Sequence, residues 1–130
     1  MRAPSLTRHR ANAEALMIDT CTVRRIVGST EDPTTGAPVD TYEDVYQGKA
    51  KRQSEAQYEV TPDIGEAVFT VQRYLAHFPV GAFLPNVGDV IEWTACPEDP
   101  LRAGTKDRIV GRFNKSLATA MRVYVEQVVP

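Results

Sequence analysis

The chain has 130 residues, 42% of them hydrophobic and 25% charged, with a net charge of −2. That describes one ordinary globular domain, long enough to bury a modest core without disulfide or metal staples. The balance excludes a chain-wide phosphate-binding surface, and no apolar run approaches the ~20 residues of a membrane span.

Two cysteines, Cys21 and Cys96, match no metal-ligand spacing and read as reduced, buried small residues, with a disulfide as the alternative. Residues 1–10 are basic but lack the apolar centre of a signal peptide, so synthesis in the cytosol is expected.

In chain order, Pro4-Ser5 opens a helix with Ser5 in the N-cap position. Ala11, Ala13, Ala15 and Leu16 favour it, and Leu6, Ala13, Leu16 and Met17 fall near one face. That stripe is thin, which makes residues 1–17 a helical arm in front of a β-domain at 18–130, either a docking arm for a partner or a simple lid on the barrel. The expected docking residues of the arm are Leu6, Arg8, Arg10, Leu16 and Met17.

Residues 18–27 are rich in β-branched side chains and predict the first strand. Residues 28–41 read as a loop, because Asp32-Pro33, Gly36 and Pro38 punctuate it. Residues 42–53 are the second strand, in which Gly48 marks a bulge or a close backbone approach. Residues 54–65 form the least regular stretch and predict a long loop between strands two and three.

Residues 66–78 are the third strand, apolar on both faces and therefore covered on both, by core or by a neighbouring subunit. The Asn-Val-Gly-Asp turn at 86–89 then starts the fourth strand, 87–95, with Ile91 and Trp93 inward. After a loop at 97–104 come strands at 105–113 and 119–128. Ile109, Phe113, Met121, Val123 and Val125 point inward, and Arg108, Arg112, Arg122 and Glu126 outward. The expected fold is mainly β: a small six-stranded β-barrel or sandwich with an N-terminal α-helix.

Catalytic chemistry is missing from the pattern. His9 sits among arginines and reads as solvated, while His77 lies on an apolar strand and reads as a satisfied structural histidine. Neither has a Cys, Asp or Glu at metal spacing. No serine lies in a nucleophile elbow, and no glycine-rich phosphate loop exists. The expectation is no enzyme and no cofactor or metal.

Charge is zoned, with a basic start, an acidic middle from Glu31 to Glu66 and a basic stretch from Arg102 to Arg122. Zones of opposite sign suit contacts between copies or with partners, or are simply solvated faces. A barrel with Lys106, Arg108, Arg112 and Arg122 outward also has the outline of an OB-like nucleic-acid binder. Such binders need exposed aromatics, and here only Tyr124 faces outward, while Phe69, Trp93 and Phe113 read as core.

Three segments, taken in order, resemble a known family. One is Ile-Asp-Thr-Cys-Thr-Val-Arg-Arg at 18–25, at the end of the helix. The second runs from Asp-Pro-Thr-Thr-Gly to Val-Tyr-Gln-Gly-Lys-Ala-Lys-Arg-Gln across 32–53. The third begins with Val-Gly-Asp-Val-Ile at 87–91. It continues through Pro-Leu-Arg-Ala-Gly to a final Ala-Thr-Ala-Met-Arg-Val strand. Together they are similar to the small head–tail connector proteins of tailed phages infecting actinobacteria, related in layout to head-completion or stopper proteins.

The resemblance implies a homo-oligomeric ring, usually a dodecamer, in the virion neck. Portal and adaptor proteins would lie above it and tail terminator or tail-completion proteins below. Packaged double-stranded DNA would pass through, with no membrane involved. An adaptor or tail-completion role in the same neck is the alternative. The stopper pattern places a channel loop at 54–65 with Glu66 at its end, and the residues expected to line or close the channel are Glu55, Tyr58, Glu59, Asp63 and Glu66.

Overall fold

The computed structural model describes residues 5–54, 58–60, 69–71, 74–113 and 118–128. Helix α1 (Leu6–Ala15) precedes β1 (Asp19–Glu31) and β2 (Pro38–Ser54). Two three-residue strands follow, β3 (Tyr58–Val60) and β4 (Phe69–Val71), and then β5 (Tyr74–Phe78), β6 (Val90–Ala95), β7 (Lys106–Phe113) and β8 (Met121–Gln127). Six of these close a barrel in the order β1-β2-β5-β8-β7-β6, each neighbouring pair antiparallel.

Closure follows from the period-two pattern. Cys21 and Val23, Ala76 and Phe78, Ile91 and Trp93, and Val123 and Val125 each alternate along a strand and meet in one core with Ala50 and Ile109. A six-stranded barrel is narrow enough for side chains to fill it. Phe78, Tyr46 and Phe83 form an aromatic cluster at its edge, with ring centroids 5.0–5.6 Å apart.

A carboxylate sits inside the barrel. The Asp107 carboxylate, 1% exposed, accepts the Trp93 Nε1–H at 2.9 Å and the Arg52 Nε–H at 2.8 Å. The Arg52 guanidinium also lies 3.7 Å from the centre of the Tyr74 ring. A buried carboxylate persists only when its oxygens are bonded in this way.

Three expectations change. Residues 28–41 are not an open loop: β1 runs to Glu31 and β2 starts at Pro38, paired down to Glu31↔Pro38. The turn residues act only at the tip. There the Asp32 carboxylate accepts the Thr34 N–H at 2.7 Å, and Gly36 takes φ +71°. Pro38 sits at a strand start, where its missing N–H costs little.

The strand expected at 66–78 is divided. Phe69–Val71 pairs with Tyr58–Val60 in a separate two-stranded sheet, and only Tyr74–Phe78 joins the barrel. Met17, assigned to the docking arm, lies beyond the helix and is buried at 5% exposure. Gly48 is a close approach, since a Cβ there would meet the Tyr46 hydroxyl oxygen at 2.8 Å.

Candidate interaction surfaces

Two features project from the barrel or lie loosely on it. The first is the β1–β2 ribbon. β1 pairs with β6 only from Thr20 to Arg24, and β2 pairs with β5 only from Lys51 to Ser54. Residues 26–31 and 38–43 therefore pair with each other alone. Six residues at about 3.3 Å each carry this ribbon roughly 20 Å past the last barrel contact.

Register shifts at Val23/Arg24 and Ile26/Gly28 mark irregularities of the bulge type, which bend and twist a strand pair. Every ribbon residue in these two runs is exposed, and Ile26 (50%), Val27 (56%), Val39 (47%) and Tyr42 (52%) are the large apolar ones. Glu31, Asp40 and Glu43 lie on it with no ion pair among the described residues.

The root of the ribbon is clamped. Asp89, 2% exposed, accepts Arg25 Nε–H at 3.0 Å and Nη2–H at 2.9 Å, and the Asn86 backbone N–H at 2.9 Å. Gly88 completes that Asn-Val-Gly-Asp turn with φ +100°. Arg24 donates to Asp44 at 3.2 Å and also pairs with Glu92. These pairs hold each arginine in its protonated form. They also show that part of the zoned charge is neutralised within the chain.

The second feature is α1, which buries none of its residues. The Arg10 Nε–H donates to the Ala118 carbonyl at 3.1 Å, and Glu14 pairs with Lys49 at 3.0 Å. Of the arm residues, Leu6 and Arg10 are half-buried, and Arg8 and Leu16 are exposed. Ser5 stands at the N-cap without a side-chain bond to the helix. Ala13 and Leu16 border a depression on the outer side of β5, where Leu75 and His77 lie opposite the core side.

Of the channel-loop residues, Glu55, Asp63 and Glu66 lie outside the described residues. Tyr58 and Glu59 belong to β3, whose one edge is already taken by β4. Lys106, Arg108 and Arg112 are exposed as expected, whereas Arg122 is half-buried. Tyr124 lines a shallow depression with Tyr74, Val110 and Gly111.

Sequence reasoning missed the buried carboxylates Asp19, Asp89 and Asp107, each held by an arginine: Arg102, Arg25 and Arg52. A signal existed for Asp107, which shares strand parity with inward Ile109. His77 is buried as expected but not satisfied, because its Nε2 has no hydrogen-bond partner. Burial, with Lys51 and Arg122 nearby, lowers its pKa to about 4.

Cys21 and Cys96 are buried and unbridged, and burial pushes the Cys21 thiol up to about 12, away from nucleophile chemistry. Among the described residues no three His, Cys, Asp or Glu side chains gather to hold a metal ion, and no helix is long and apolar enough to cross a membrane.

The family model described as a family of unknown function, DUF6093, matches residues 9–126. The chain belongs to that family. The matched span enters within α1 and ends in β8, so it takes in the ribbon and all six barrel strands but for the last residue of β8. No curated protein and no solved structure matches the chain.

Proposed function

We propose that the chain is a structural subunit of a phage neck, forming a homo-oligomeric ring between portal and adaptor on one side and tail proteins on the other. The resemblance of its three segments to head–tail connectors supplies the place. The observation that carries the reading is the exposed β1–β2 ribbon, with Ile26, Val27, Val39 and Tyr42 uncovered.

A lone two-stranded ribbon is marginal in water. Covering one large apolar side chain is worth ~1.5–3 kcal/mol, and both faces of the ribbon carry such side chains, Ile26 with Tyr42 on one and Val39 on the other, so covering it favours association. In a ring each subunit offers one surface and receives another, and the ribbon of one copy lies on the next. The closed barrel supplies a rigid body that repeats around the axis. Contacts made by one ribbon are small, so the ring forms on its template and the isolated chain remains monomeric.

Light scattering of the chain alone and with its cognate portal–adaptor complex tests this. A monomer that becomes a ring on the complex is expected. The double variant Val27→Lys/Val39→Lys should keep its melting temperature and lose ring formation. A stable dimer unchanged by the portal, or normal assembly of the double variant, would count against the reading.

A further inference from the structure

The strand order sets the ribbon and a second exposed surface on opposite walls. Around the closed barrel, β1 stands three places from β8, and β2 three places from β7. The outer side of β7 and β8 therefore faces away from that of β1 and β2, the strands whose ends form the ribbon. Along β7, Lys106, Arg108 and Val110 are exposed, while Asp107 and Ile109 between them are buried. On β8, Tyr124 and Glu126 share that outer side, because Val123 and Val125 belong to the core. Tyr74, Val110, Gly111 and Tyr124 line an open depression of about 280 Å³ there. Arg108 meets Glu126 at 3.5 Å in an exposed pair, and Lys106 has no ion pair among the described residues.

The ribbon carries the complementary pattern. Residues 26–44 contain Glu31, Asp32, Asp40, Glu43 and Asp44 and no Lys or Arg. Strand alternation puts Tyr42, Asp40 and Pro38 on one face of β2, and the register sets Ile26 beside Tyr42 and Glu31 beside Pro38. From root to tip that face reads apolar, acid, acid in two-residue steps. The β7 wall reads Val110, Arg108, Lys106, which is apolar, cation, cation in the same steps of about 7 Å.

We propose that the outer wall of β7 and β8 receives the ribbon of a second copy, with Tyr42 against the depression and with Asp40 and Glu31 opposite Arg108 and Lys106. The contact rests on the ring reading for its closure and names the receiving surface within it. A projection on one wall and its receiver on the opposite wall make a head-to-tail contact, which repeats from copy to copy until a ring closes. Two ribbons laid on each other would instead bring ten acids together without a cation, because each carries five. Covering Tyr42, Ile26 and Val110 supplies the attraction, and the exposed charges set orientation and register.

The variant Ser29→Cys/Val110→Cys, treated with a short bis-maleimide, tests this in the chain alone at high concentration and on the cognate portal–adaptor complex. Ser29 pairs with Asp40 and keeps the acids in place. Cys21 and Cys96 are buried and stay out of the reaction. A head-to-tail contact gives a ladder of trimers and larger species on a denaturing gel, because every copy carries both thiols. The ladder should weaken about tenfold when Lys106→Glu/Arg108→Glu is added, and return when Glu31→Lys/Asp40→Lys is added to the same chain. A ladder from the chain alone with no ring on the portal complex supports the contact and rejects the neck reading. Rings on the complex without a ladder, products that stop at a dimer, or a ladder indifferent to the charge changes would overturn the proposal.

Discussion

Asp107 shows how one residue organises the barrel interior. Its carboxylate holds the Trp93 indole and the Arg52 guanidinium together in a space with almost no water. Asp107→Asn keeps an oxygen for Trp93 but leaves the Arg52 charge without its counterion. Breaking a buried pair from one side costs on the order of 3–5 kcal/mol, and urea unfolding should report a loss of that size. An unchanged midpoint would mean that Arg52 escapes to solvent.

His77 gives a pH dependence of definite sign. Its pKa is about 4 in the fold against 6.5 for a free imidazole, so the unfolded chain takes the proton first. Its contribution is complete above pH 6.5 and is lost as pH falls toward 4. The loss amounts to about 3 kcal/mol at most by linkage. In low-salt buffer without oxyanions, His77→Gln should flatten the stability profile across this window relative to the wild type. Parallel profiles would show that the imidazole is already solvated. The sequence showed the burial of His77, from its place among apolar neighbours, but not its orphaned nitrogen. That depends on which side chains of β2 and β8 come alongside, and register is invisible in one strand.

At the level of elements, α1 is attached by polar contacts rather than by a buried stripe. An exposed ion pair is worth about 0–1 kcal/mol, and the Arg10 bond to Ala118 adds a similar amount. Deleting residues 1–16, and so retaining buried Met17, should lower stability by less than ~2 kcal/mol while the barrel still unfolds cooperatively. Loss of a cooperative transition in circular dichroism would make the helix part of the core. Residues 1–17 read as a loosely docked arm because its apolar stripe is thin. The misplacement of Met17 arose because helical spacing was carried two residues past the helix end at Ala15.

The ribbon was hidden for the opposite reason. Pro33, Gly36 and Pro38 are strong turn formers, yet they act within a tip only a few residues long. Thr30, Val39 and Thr41 carry the ladder on either side of it. The strand at 66–78 was over-read, because β-propensity alone does not tell one long strand from two short ones in different sheets.

For the whole molecule, the barrel was legible because six apolar–polar alternations of similar length have few ways to close. Ile91, Trp93, Ile109, Val123 and Val125 all face inward as their parity requires. What the parts do together was not written in that alternation. It depends on surfaces left uncovered among the described residues, chiefly the ribbon.

We propose that the ribbon belongs to a ring in a virion neck. A cryo-electron microscopy map of the neck of a virion encoding this chain tests it most directly. A closed ring of copies between portal and tail is expected, with the β1–β2 ribbon of each lying on its neighbour. A neck without this chain, or copies whose ribbons touch only solvent, would contradict it.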